Sequence, residues 1–150
     1  MYYRMCKKIL IIIFFLSCNL QAENEYFLTL RFDEVNLRQG PSREYPIKIF
    51  YKKKFLPVLV QDKSDNFRKI RDHENNSGWI HVSQLSKKKA AINIKENALV
   101  FKKPTIFSSP QVILSKGRLC IIKKCKENWC KIKVDKYQGW IKSENLWGRL

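Results

Sequence analysis

Beyond residue 25 the chain is a succession of short apolar runs broken by turn-forming residues. Tyr26 to Phe32, Glu34 to Leu37, Lys48 to Tyr51, Phe55 to Gln61, Phe67 to Arg71 and Gly78 to His81 are rich in β-branched and aromatic side chains. Gly, Pro, Asn, Asp and Ser separate them, so the pattern predicts strands. Val82-Ser83-Gln84-Leu85 predicts a closing single turn. Helical periodicity of useful length is absent. The pattern then recurs: Val35-Asn36-Leu37-Arg38-Gln39-Gly40-Pro41-Ser42 stands opposite Ala98-Leu99-Val100-Phe101-Lys102-Lys103-Pro104-Thr105, an offset of 63. Asn66-Phe67-Arg68-Lys69-Ile70 matches Asn128-Trp129-Cys130-Lys131-Ile132 at 62, and Gly78-Trp79-Ile80 matches Gly139-Trp140-Ile141 at 61. A period this long is a small domain used twice rather than a solenoid unit. Copies of about 60 residues in five or six short strands favour a small, nearly closed barrel, which protects the strand edges.

The first residues follow a different pattern. Arg4, Lys7 and Lys8 precede an unbroken apolar run, Ile9 to Leu16, and Ser17 to Ala22 turns polar and ends on a small residue. This predicts a secretory signal peptide over residues 1–22, cleaved after Ala22. The run is far shorter than the roughly 20 residues a membrane-spanning helix needs. Phe15-Leu16-Ser17-Cys18 offers a competing lipoprotein reading in which Cys18 is lipidated. The expected organisation is therefore a signal peptide, a first domain over residues 23–86, a basic linker over residues 87–92 and a second, degenerate domain over residues 93–150.

Composition adds charge to this picture. The 150 residues carry 30 basic and 13 acidic side chains, a net of +17. Such an excess ordinarily points to nucleic acid or an anionic surface. Lysine outnumbers arginine 22 to 8 alongside 16 Ile and 10 Asn, a bias that A/T-rich coding also produces. Export further disfavours nucleic acid. The charge is also uneven: residues 23–86 carry 11 basic and 9 acidic side chains, whereas residues 87–150 carry 16 and 4, a net of +12. The alternative expectation is a basic protein held electrostatically on anionic lipid, lipopolysaccharide or nucleic acid, with residues 87–150 attaching to an anionic membrane surface.

The element Val35-Asn-Leu-Arg-Gln-Gly-Pro-Ser, then Tyr45-Pro46-Ile47, then Leu56-Pro-Val-Leu-Val, Asn66-Phe67-Arg68-Lys69-Ile70 and Gly78-Trp79-Ile80, resembles the bacterial SH3-like (SH3b) domain. The chain looks most like the exported two-copy form of proteobacteria. In the second copy Leu99, Phe101 and Lys103 replace Asn36, Arg38 and Gly40. The resemblance implies an all-β fold of two tandem SH3-like barrels and recognition rather than catalysis. The partner it implies is cell-wall peptidoglycan, through its peptide or glycan, or an envelope protein.

Tyr45 and Tyr51 are candidates for a binding groove, since a phenol joins apolar area to a polar tip. Arg38 and Ser42 could add hydrogen bonds to carboxylates or amides. Trp79 and Trp140 read as barrel wall. Cys125 and Cys130 flank Lys126-Glu127-Asn128-Trp129, a spacing that suits opposite strands of a tight hairpin, and export favours a disulfide between them. Cys120, within Leu119-Cys120-Ile121-Ile122, reads as a buried thiol. His73 and His81 read as surface residues. No metal-ligand cluster, phosphate-cradling loop or nucleophile with a positioned base is evident, so neither a cofactor nor an enzymatic activity is expected.

Overall fold

The computed structural model describes residues 24–150. The signal peptide expected over residues 1–22 and the Cys18 alternative lie outside the described residues.

The first copy contains β1 (Tyr26–Leu30), β2 (Val35–Arg38), β3 (Ile47–Tyr51), β4 (Pro57–Ser64), β5 (Phe67–Arg71), β6 (Ser77–His81), a single 3-10 turn (Val82–Gln84) and β7 (Leu85–Ser86). The second repeats the series as β8 (Ala90–Asn93), β9 (Ala98–Phe101), β10 (Pro110–Leu114), β11 (Leu119–Lys126), β12 (Trp129–Val134), β13 (Tyr137–Lys142), a 3-10 turn (Ser143–Asn145) and β14 (Leu146–Gly148). Each set forms one antiparallel seven-stranded sheet, in the orders β3-β2-β6-β5-β4-β1-β7 and β10-β9-β13-β12-β11-β8-β14. The fold is all-β, two SH3-like barrels in tandem.

Local chemistry explains the turns. Asp65 and Glu127 open two-residue connections between long strands and take positive φ, 45° and 54°, as tight hairpins demand. Register shifts at Val60/Asp62 and Ile122/Lys124 mark bulges in β4 and β11. A bulge bends and twists its strand, letting one strand serve two sides of a barrel. Consistently, β4 is buried along Pro57 to Val60 and exposed at Asp62 and Lys63.

Leu30, Val35, Leu37, Val58, Val60, Ile70, Ile80 and Leu85 fill the first barrel. Val100, Leu114, Cys120, Ile122, Ile132, Val134, Ile141 and Leu146 fill the second. The Gly-Trp pairs close the barrels. A Cβ on Gly78 would lie 2.6 Å from the backbone oxygen of Arg38, and one on Gly139 would lie 2.8 Å from that of Phe101. Only glycine lets β6 and β13 approach β2 and β9 so closely, and the indole next in sequence then forms the half-buried wall expected of Trp79 and Trp140.

Three expectations change. Phe55 is not the start of a strand: its φ is 64°, its N–H donates to the Leu30 carbonyl at 2.9 Å, and β4 begins at Pro57. The basic linker expected over residues 87–92 is shorter, because Ala90, Ala91 and Ile92 are buried in β8, which pairs with β11 and β14. Only Lys87, Lys88 and Lys89 lie between the sheets. The barrels also touch. Ile92 packs into the first barrel's core cluster, Phe27 meets Trp147 edge to face at 4.9 Å, and the Arg149 guanidinium donates to the Phe27 carbonyl at 2.9 Å. His73, expected at the surface, is half-buried with its ring 6.3 Å from that of Trp147.

Cys125 and Cys130 are cross-strand partners of β11 and β12 with Cα atoms 4.0 Å apart, and they form the disulfide. Cys120 is a free, buried thiol. Burial pushes it from the ordinary value near 9.0 up to about 12, against the opposing pull of the Arg118 and Lys53 charges.

Candidate functional site

The β2–β3 hairpin of the first barrel carries the Asn-Leu-Arg-x-Gly-Pro element, in which Leu37, Arg38 and Gly40 each have a structural duty. Leu37 is fully buried, so the alternation of β2 turns Asn36 and Arg38 outward. Arg38 donates through one guanidinium nitrogen to the Tyr45 carbonyl at 2.8 Å, clamping the two ends of the loop. Gly40 makes room for the Tyr45 ring: a Cβ there would lie 2.6 Å from the ring carbons. Ser42 accepts the Glu44 N–H at 3.2 Å, shaping the tip as a serine turn. Three of the expected site residues, Arg38, Ser42 and Tyr45, thus belong to one loop.

Tyr51 does not join them. It is 8% exposed, and its hydroxyl donates to the Asp72 carboxylate at 2.9 Å in a buried contact. Asp72 also accepts the Glu74 and Asn76 backbone N–H groups and the Asn76 side-chain amide, fixing the β5–β6 turn. Burial and the Asp72 contact raise the Tyr51 phenol. Tyr51 edges a separate hollow of about 460 Å³ beside Glu34, Asn36 and Phe50, but its polar tip is committed to the interior.

The hairpin forms one side of a groove of about 250 Å³ lined by Asn36, Arg38, Arg43, Phe67, His81, Ser83 and Gln84. β6 supplies the opposite side. The register places Arg38 beside Trp79 and His81 beside Phe67, whose rings meet edge to face at 5.1 Å. Nδ1 of His81 accepts the Ser83 N–H at 3.2 Å and lies 2.7 Å from the Ser83 hydroxyl. A backbone N–H can only donate, so this arrangement leaves the ring hydrogen on Nε2. The groove therefore offers guanidinium, imidazole, amide and hydroxyl groups beside an aromatic floor, and among the described residues no acid lines it. It can receive a carboxylate or an amide-rich chain.

Of the residues expected at the site only Arg38 lines this groove, and sequence reasoning missed Asn36, Arg43, Phe67, His81, Ser83 and Gln84. The available signal was strand alternation, which puts His81 on the same face as Trp79, the neighbour of Arg38. A wider hollow of about 500 Å³ lies among Tyr26, Arg31, Arg68 and Lys87. Its two arginines already hold backbone carbonyls, Arg31 that of Leu85 and Arg68 those of Asp65 and Phe67.

The family model described as the bacterial SH3 domain matches residues 32–87 and 95–148, and the chain belongs to that family. Bacterial SH3 domains are cell-wall binding modules, and the domain alone is non-catalytic. No curated protein matches the chain. Among solved structures it is similar to NlpC2 from Trichomonas vaginalis, at 13% identity and a TM-score of 0.39 over 84% of this chain and 49% of that one. NlpC1 from the same organism gives 15% and 0.37 over 92% and 50%. An NlpC/P60 family protein from Bacillus cereus gives 10% and 0.38 over 81% and 56%. The chain spans about half the length of the solved structures it matches.

Proposed function

We propose that the chain is a non-catalytic, exported module of the cell envelope, periplasmic where an outer membrane is present, that binds peptidoglycan through the groove of its first barrel. The observation that carries this reading is the intact β2–β3 hairpin, clamped by Arg38 and aligned with Arg43, His81 and Ser83 around a polar groove free of acids. Stem peptides of the wall present carboxylates and amides, and its glycan presents N-acetyl amides, all of which such donors recognise. An envelope protein offering an extended, carboxylate-bearing segment would satisfy the same groups.

Sedimentation with purified sacculi tests the reading. Residues 23–150 are expected in the pellet at physiological salt, with retention reduced about tenfold by Arg38→Ala combined with Arg43→Ala. If the unaltered chain stays in the supernatant at both low and physiological salt, peptidoglycan is not the ligand. Retention untouched by the double substitution places the contact elsewhere.

A further inference from the structure

The two barrels share the register of one hairpin but not its side chains. In register, Asn36 pairs with Phe50 and Leu99 pairs with Ile113, so the offset of 63 holds across both hairpins. At that offset Leu99, Ile106 and Phe107 of the β9–β10 hairpin occupy the places of Asn36, Arg43 and Glu44. Two polar positions that line the first groove, Asn36 and Arg43, have thus become Leu99 and Ile106, and Glu44 beside them has become Phe107. None of this surface is buried: Leu99 is 40% exposed, Ile106 60%, Ile113 61% and Phe107 92%.

Phe107 is not loosely placed. Its N–H donates to the Thr105 hydroxyl at 3.3 Å, Ser108 N–H donates to the Thr105 carbonyl at 3.2 Å, and Lys103 N–H donates to the Ser108 hydroxyl at 3.0 Å. Lys103 stands where Gly40 seats the Tyr45 ring, and Ser108 stands where Tyr45 is, so the second loop keeps a turn but directs its aromatic outward. Lys102 and Lys103 are exposed at its base. A phenylalanine with almost no contacts of its own stabilises nothing in the isolated fold.

We propose that this hairpin docks the chain on an anionic lipid surface, with Ile106 and Phe107 entering the headgroup region and the lysines of the second half holding the phosphates. Charge complementarity selects this occupant. Residues 87–150 carry 16 basic and 4 acidic side chains, and 14 of the basic ones are lysines. Lysines act as point charges suited to diffuse attraction by a lipid surface. A protruding apolar tip above basic residues enters a soft interface, whereas a folded partner would need a matching pocket. The reading is independent of the peptidoglycan groove, which lies on the other barrel.

Flotation of residues 23–150 with vesicles tests it. Binding is expected to vesicles of phosphatidylcholine with about one third phosphatidylglycerol, and not to phosphatidylcholine alone. Ile106→Ser with Phe107→Ser should weaken binding at least tenfold at physiological salt while leaving the circular dichroism spectrum and the sacculus retention unchanged. Lys102→Gln and Lys103→Gln should each weaken it about fivefold. The proposal is overturned if the serine variant binds the anionic vesicles within twofold of the unaltered chain, or if neutral vesicles bind equally well. It is overturned too if sedimentation velocity shows a dimer that dissolves in the serine variant, which would make a second copy the occupant. Loss of sacculus retention in that variant, without vesicle binding by the unaltered chain, would reassign the hairpin to the wall.

Discussion

Alanine at Gly78 tests how the barrel closes. The added Cβ would meet the Arg38 oxygen at 2.6 Å and Leu37 Cγ at 2.8 Å, both below the 3.0 Å that real Cβ atoms essentially never breach. Neither neighbour is the free end of a side chain, so β6 has to retreat from β2 by about half an ångström. Overpacking of this kind costs roughly 1–3 kcal/mol. Stretching the hydrogen bonds around Arg38 and Trp79, the pair through which β2 meets β6, adds about 1 kcal/mol. The smaller entropy of the unfolded alanine chain returns about 0.4–1 kcal/mol. The net expectation is a loss of about 2 kcal/mol. Gly139→Ala should behave alike, with Val100 Cγ1 at 2.6 Å and the Phe101 oxygen at 2.8 Å. Gly117 supplies the contrast: its φ is +81° and nothing lies within 4 Å, so alanine there meets only the left-handed penalty of roughly 1 kcal/mol. Urea denaturation of residues 23–150 followed by tryptophan fluorescence measures all three. A Gly78→Ala midpoint equivalent to less than 0.5 kcal/mol, beside a larger loss at Gly117, would refute the closure argument.

Tyr51→Phe should destabilise by about 1.5 kcal/mol, since it removes one donor from Asp72 but leaves Asn76 and two backbone N–H groups in place; an unchanged urea midpoint would show the contact to be idle. Stability should fall with alkaline pH. The folded value of the Cys120 thiol is raised from about 9.0 to about 12, so its contribution is intact below about pH 9 and lost as pH climbs toward 12. Tyr51, raised by burial and by Asp72, adds a loss that begins near pH 10. Denaturation at pH 7, 9 and 11 should therefore show a decline that Cys120→Ala makes shallower, and equal slopes would discount the thiol. Asn93→Ala should cost about 1–3 kcal/mol, because the Asn93 amide donates to the Lys95, Leu114 and Ser115 carbonyls from a fully buried position; thermal denaturation checks it.

Most strands and the disulfide were legible because each rests on local chemistry, and the repeat because that local pattern recurs about 62 residues on. Alternation, a turn residue or a hairpin spacing is complete within ten residues. What sequence concealed was settled by distant partners. Three lysines in a row suggested a solvated connector, yet the next residues, Ala90 to Ile92, are buried by β11 and β14, whose pairing positions Leu119 to Ile121 and Leu146 to Gly148 lie far along the chain. A phenol has an apolar body and a polar tip, and which end faces inward at Tyr51 was decided by Asp72, 21 residues later. Phe55 has strand-like composition, but its backbone is held at positive φ by the turn that returns the chain toward Leu30. His81 gained its place in the groove from the close crossing of β6 over β2, which a glycine permits and no periodicity announces.

The seat of Ile92 in the first barrel's core changes what the duplication means for inheritance. A copied domain is ordinarily portable: it can be moved to another chain and keep its fold. Here the first copy borrows a side chain from the first strand of the second, and the Arg149 guanidinium near the far end reaches back to Phe27 in the opening strand. Severing the chain after Ser86 would leave an unfilled site in one half and a stranded isoleucine in the other. The halves can differ in what their loops hold, as Asn36 and Leu99 do, while the packing around Ile92 ties one interior to the other. The two barrels are thus joined in their packing while each presents its own loop face.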